Sequence, residues 1–293
     1  MSTVAAPRPI PSGERDDEYA PRHVYRPHRT GLPPMRSYLQ QLWRRREFAV
    51  EMVRTNLRTQ HFQSVLGLAW LVLNPVMQAL IYFVLVNILR DGTRGSVFFA
   101  HLVAGIFAFH FVSQSVSRGA KSVVGGGRLI LNTAFPRTLL PISSVMTSFV
   151  RFLPTLAVYA VVHVAAGLPI GLHLLWILPL MLILVLFATG VAMLVAAAQV
   201  YFRDIKDFLP HLMRLWLYAS PVLYYLDEVP DGFRPFIDAN PLTPMLSAWS
   251  DVLNAGDAPS LGILAWSAGW AILALVGGGL FFISREREFA VRL

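Results

Sequence analysis

The chain has 293 residues, 55% of them hydrophobic and only 14% charged, with a net charge of +8 and no cysteine. A soluble domain carries nearer a quarter charged residues, so this composition argues for a membrane protein. The absence of cysteine excludes disulfide, thiolate and zinc-thiolate chemistry, and a positive balance in such a chain reflects basic loops rather than nucleic-acid binding.

Residues 1–34 hold seven prolines, many charges and few large apolar side chains. They predict a disordered tail without a secretory signal peptide. Met35, Tyr38, Leu39, Leu42 and Trp43 then fall at the spacing of one apolar helix stripe, followed by Arg44-Arg45-Arg46. An amphipathic helix with a basic cluster suits an anionic membrane surface, and region 35–60 is read as that interface helix. A helix packed on the rest of the protein is the alternative.

Residues 61–293 read as one all-α polytopic membrane domain with six transmembrane helices. The expected spans are Val65–Leu89, Val97–Val116, Thr138–Ala166, Leu174–Tyr201, Phe208–Leu226 and Leu261–Ile283. At about 1.5 Å per residue each is long enough for a ~30 Å hydrocarbon core, given some tilt. With both termini cytoplasmic, the inside segments carry 20 Lys and Arg against 3 outside. That bias sets the orientation. The long outer segment 227–260 is acidic and broken by Pro230, Pro235, Pro241 and Pro244, and Met245–Leu253 reads as a short helix at the membrane surface.

Between the second and third spans lies Ser117–Pro141, a short basic loop with Arg118, Lys121, Arg128 and Arg137 and no acid. A triple glycine at 125–127 predicts a turn into a small apolar helix over Leu129–Phe135. This is the pattern of a docking element.

Motifs for chemistry are sparse. Gly119-Ala120-Lys121-Ser122 lacks the glycines whose amides cradle a nucleotide phosphate, so the chain is expected to bind no ATP and no other cofactor of its own. No histidine spacing matches a metal site. Asp204 and Asp207 have the spacing of a Mg-diphosphate motif, but they alternate with Arg203 and Lys206 and read as self-neutralised loop charge. Arg151 and Arg214 fall inside spans, where arginine costs about 2.5–3.5 kcal/mol and therefore faces protein or a water-filled cavity. Trp70, Tyr82, Trp216, Tyr218 and Tyr224 are candidate sugar-stacking aromatics, with an interfacial belt as the plainer reading.

Ser64-Val65-Leu66-Gly67-Leu68-Ala69-Trp70 with Leu73-Asn74-Pro75 resembles the opening of the first span in permease subunits of polysaccharide ABC exporters, which move O-antigen, teichoic acid or cell-wall galactan. Leu129-Ile130, Phe135-Pro136-Arg137 and Leu140-Pro141 resemble that family's segment between spans two and three. Tyr201-Phe202-Arg203-Asp204-Ile205, Ser220-Pro221, Tyr224 and Asn240-Pro241-Leu242 follow in family order. Asn132-Thr133-Ala134 departs from it, because many members carry a lysine before the Phe-Pro.

The resemblance covers residues 35–293 and implies a plasma-membrane homodimer working with two copies of a separate ATPase subunit, which binds the ATP and Mg. It implies that Arg118, Lys121, Arg128, Leu129, Ile130, Phe135, Pro136 and Arg137 form the ATPase-coupling element. It also implies short re-entrant gate helices in segment 227–260. The substrate would be a lipid-linked glycan. Its lipid pyrophosphate and glycan path is expected along Arg54, Arg58, Trp70, Tyr82, Arg151, Arg203, Arg214, Trp216, Tyr218 and Tyr224. A galactan is favoured because arginine outnumbers lysine 23 to 2, as in a GC-rich host. The competing readings are an intramembrane Mg-dependent transferase built on Asp204 and Asp207, and a drug or lipid exporter of the same superfamily.

Overall fold

A computed structural model describes residues 32–58, 69–90, 92 and 94–292, and every regular element among them is helical. Residues 1–31 of the expected tail and 65–68 of the expected first span lie outside the described residues.

Where one interface helix was expected there are two, α1 (Met35–Arg44) and α2 (Arg46–Arg58), broken at Arg45. The apolar stripe of α1 divides. Tyr38 turns inward and is buried, whereas Leu39 and Trp43 remain exposed. α3 (Ala69–Leu89) lies at the edge of the bundle and leaves Leu80, Ile81, Leu85 and Ile88 exposed.

α4 (Ser96–Gly125) is the central helix, buried continuously from Ala100 to Phe109. It packs between α6 (Leu139–Ala165) and α7 (Ile177–Tyr201). Close approach needs small residues at the crossings: a Cβ on Gly119 would stand 2.6 Å from the Ala192 Cβ. α11 (Leu261–Arg285) lies alongside α7 in the same direction. There Gly190 faces Ala274 and Gly278 so closely that a Cβ on either glycine would meet the other helix's backbone. Such small-residue contacts let backbones approach where apolar burial gives no preference for protein over lipid.

Five helical segments among the described residues are long and apolar enough to cross a membrane: Ala69–Leu89, Ser96–Gly125, Leu139–Ala165, Leu172–Tyr201 and Leu261–Arg292. The expected span at Phe208–Leu226 is different. α8 (Ile205–Tyr218) has 14 residues, about 21 Å, and stops at Ala219 ahead of Ser220-Pro221. The chain then lies against α4, with Val222 on Gly105, and continues through short pieces including α9 (Arg234–Asp238). The apolar run continued to Leu226, but the helix ended first, ahead of a proline without an N–H.

α10 (Leu242–Ser250) corrects a second expectation, because it does not lie on the surface. Its Trp249 is buried, donates to the Ala104 carbonyl at 3.2 Å, and lies 6.2 Å from the Phe152 ring. The chain leaves this helix through a π-turn at Asp251–Ala255 that closes on Gly256 at φ 78°. α10 therefore turns into the bundle between α8 and α11, whereas α9 ahead of it stays largely exposed.

Candidate functional site

One end of the bundle collects α1, α2, the C-terminal ends of α4, α7 and α11, and the segment expected to form the docking loop. Ser117–Gly125 is not loop there, since α4 continues through it. The turn is confined to Gly126, where a Cβ would lie 2.9 Å from the Ser122 carbonyl oxygen and 3.1 Å from Leu140. α5 (Gly127–Asn132) follows at once. Asn132, at the point of departure from the family pattern, donates from Nδ2 to the Arg128 carbonyl at 2.8 Å and closes that turn.

α5 has two faces. Ile130 is buried in a cluster with Val123, Leu140, Met193, Val200, Phe282 and Phe289. Leu129 packs on that cluster, Pro136 is buried, and Phe135 lies 5.1 Å from the Phe48 ring of α2. These four side chains hold the element onto the bundle. Lys121, Arg128, Leu131 and Asn132 are exposed, with Leu131 63% accessible.

Arg137 is also committed internally. Its amide donates to Glu286 Oε1 at 2.5 Å and its guanidinium donates to the Glu286 carbonyl. Tyr38 donates to Glu286 Oε2 at 2.5 Å and shares a 3.0 Å hydrogen bond with Thr138. Burial, together with the Glu286 carboxylate, pushes the Tyr38 phenol far above its ordinary range, so it stays a donor. α1, the segment after α5 and the end of α11 thus meet at one carboxylate.

Inside the bundle, a cavity of about 130 Å³ lies between α3, α4 and α6. Trp70 and Asn74, His110, Gln114 and Arg118, and Ser148, Arg151 and Thr155 supply its polar and aromatic walls. Arg151 is 8% exposed; its guanidinium reaches the Asn56 carbonyl only at 3.4 Å, and its Nε has no hydrogen-bond partner. Arg118, expected at the docking surface, is therefore brought to Arg151, expected in the substrate path.

The remaining expected path residues separate. Trp216 donates to Asn240 Oδ1 at 2.8 Å and packs on Phe187, which ties it to the start of α10 and to α7. Tyr82 and Tyr218 meet edge-on with their hydroxyls 3.3 Å apart, and Tyr224 reaches the Tyr218 carbonyl at 3.5 Å. Arg54, Arg58, Arg203 and Arg214 are exposed; Arg54 pairs with Glu51 at 3.6 Å, and Arg203 reaches the Arg292 carbonyl at 3.5 Å. Asp204 and Asp207 are exposed at the start of α8, and no group of three metal-ligating side chains occurs among the described residues.

At the opposite end, Arg94 pairs with Glu228 and lies over the rings of Phe98 and Tyr225, at 4.7 and 5.4 Å. Arg90 stands 3.6 Å from the same carboxylate. Partial burial raises the Glu228 pKa, but the Arg94 hydrogen bond and the two positive charges outweigh it and hold the group below the usual range. Asn240 donates to the Ala219 carbonyl and Ser220 Oγ, tying the start of α10 to the end of α8. Reading the sequence assigned Glu286 and Glu228 no role of their own; the one signal available was an acid at the edge of an apolar run.

Residues 49–254 match the family described as ABC-2 type transporter. An O-antigen export system permease protein RfbA of Klebsiella pneumoniae is 30% identical over 212 residues, which is 72% of this chain and 81% of that protein. A permease of the same name from Myxococcus xanthus is 28% identical over 255 residues, 86% of this chain and 97% of that protein.

Proposed function

Because the chain belongs to the ABC-2 type transporter family, we propose that it is the permease subunit of an ATP-driven exporter of a lipid-linked polysaccharide, worked by a separate ATPase subunit. O-antigen export in the similar permeases supports that substrate class. A cell-wall galactan is the preferred glycan on the arginine-rich composition. The chain works as a homodimer in the plasma membrane, with its basic end and both termini in the cytoplasm. The excess of Lys and Arg in the segments at that end supports this orientation.

The observation that carries the reading is the two-faced α5. Its exposed face offers Arg128 and Leu131 to a partner beside Lys121 at the end of α4, while Ile130, Phe135 and Arg137 bind it to α2, α7 and α11. A partner that moves α5 therefore moves the helices behind it. ATP and Mg act in the ATPase, and its closure on ATP is the source of that motion. The α9–α10 segment, pinned by Asn240 and by Arg94–Glu228, is the gate at the outer end.

A tagged chain isolated from native membranes tests this. An ATPase subunit co-purifies with the parent chain, and R128E combined with L131D strongly lowers its recovery at unchanged membrane yield. Unchanged recovery in the double variant, or metal-dependent transferase turnover by the chain alone, overturns the reading.

A further inference from the structure

An interfacial helix normally turns one continuous apolar stripe to one environment. α1 divides its stripe between two. Tyr38 faces the bundle, while Leu39 and Trp43 are 56% and 69% exposed. Leu39 and Trp43 line a groove of about 500 Å³ together with Arg36, Gln40 and Arg44, which recur every four residues along one side of the helix. Arg46 lies 4.9 Å over the Trp43 ring, Arg45 stands between the two helices, and α1 itself contains no acid. Apolar side chains flanked by guanidinium groups fit the boundary between hydrocarbon and anionic headgroups, where rings and stems enter the lipid and charges stay among the phosphates.

The inward side of α1 leads to α5. The Tyr38 hydroxyl lies between Glu286 Oε2 at 2.5 Å and Thr138 Oγ1 at 3.0 Å. The same carboxylate accepts from the amide of Arg137, the residue before Thr138. α5 ends at Asn132, and Phe135 in the stretch that follows packs on Phe48 of α2. The chain between α5 and α6 is thus held from two sides, by α1 through Tyr38 and by α2 through Phe48. α1 and α2 are separate helices broken at Arg45. A tilt of α1 about that break therefore makes or strains the Tyr38 contact while α2 keeps its own.

We infer that α1 is a lever that reads the charge of the membrane surface: anionic lipid seats Arg36, Leu39, Trp43 and Arg44, and Tyr38 passes that seating to the α5 segment through Glu286 and Thr138. This rests on the permease reading, in which α5 meets the ATPase, and adds that the order of the coupling element depends on the lipid beside it. Each guanidinium at an anionic surface favours seating by about fivefold. Tyr38 and Glu286 are positioning residues in this scheme, because they touch neither cargo nor nucleotide.

Backbone hydrogen exchange of the full-length chain tests this in nanodiscs of phosphatidylcholine alone and of phosphatidylcholine mixed with phosphatidylglycerol. In the parent chain the anionic discs slow exchange in both α1 and α5, by about tenfold or more in α1. R36Q combined with R44Q removes the difference at both helices without touching the Tyr38 contacts. Y38F keeps the difference in α1 and loses it in α5. A tyrosine that only packs would change the absolute exchange of α5 and leave its ratio between the two lipids as in the parent. Equal exchange of α1 in both lipids assigns its outer face to uncharged lipid, to the ATPase or to a second copy, and overturns the inference. So does a parent in which α1 responds and α5 does not, or lipid dependence of α5 retained in folded Y38F. If Y38F does not fold, the double arginine variant decides, since α5 that still responds there overturns the link. No ATPase is present, so this result stands apart from whether one co-purifies.

Discussion

Glu286 accepts at 2.5 Å from both the Tyr38 hydroxyl and the Arg137 amide, and its own carbonyl takes the Arg137 guanidinium. A carboxylate with this many donors fixes three chain segments that are far apart in sequence. Hydrogen bonds to charged groups contribute about 1.5–3 kcal/mol, so Tyr38→Phe lowers the thermal midpoint of the purified chain by a loss of about that size. An unchanged midpoint would show that the tyrosine adds packing only. Glu228 allows a pH test at the other end. Its folded pKa is depressed, because Arg94 and Arg90 outweigh partial burial. The stability it contributes is fully present above the unfolded value, about 4.3, and is lost as the pH falls through the folded value. Glu228→Gln therefore flattens the acid side of a melting-temperature profile while leaving its shape near neutrality intact.

At the scale of elements, α5 and α8 show what periodicity misses. The turn before α5 depends on one glycine wedged between the Ser122 carbonyl and Leu140. Gly126→Val forces α5 away from α4, so ATPase co-purification falls while the chain still inserts; full recovery would show that α5 is not the coupling contact. α8 begins as an apolar run, yet Lys206, Asp207, His211 and Arg214 lie along it, and Ser220-Pro221 ends it early. An apolar run of 19 residues was legible in the sequence. Its division into a short helix and a chain segment packed on Gly105 was not, because Asn240 makes the compensating hydrogen bonds from 20 residues further on.

Across the whole molecule, the helices divide into a tightly packed centre and a loosely packed edge. α4, α7 and α11 lock through Gly119, Gly190 and Gly278, whereas α3 presents an exposed apolar face. Trp249 seals α10 against that centre, 1% exposed. Its removal leaves a large void and takes away the second donor to the Ala104 carbonyl, so Trp249→Ala costs about 3–5 kcal/mol and lowers the thermal midpoint sharply. A midpoint within error of the parent would mean that α10 is not part of the core.

Composition and apolar run length by themselves determined a helical membrane protein and the approximate place of five helices, because in hydrocarbon each backbone group must find its partner within its own segment. The charge bias and the short basic segment were legible for the same reason, since they depend on local sequence alone. Tertiary structure decided the rest. It placed Arg118 with Arg151 rather than at the docking face, turned Ile130, Phe135 and Arg137 inward, and gave Glu286 the Tyr38 hydroxyl and Arg137 as partners. These outcomes depend on which helix faces meet, and helix–helix contact in a membrane is set by close packing and polar pairing between distant segments, for which a linear hydrophobic pattern carries no code.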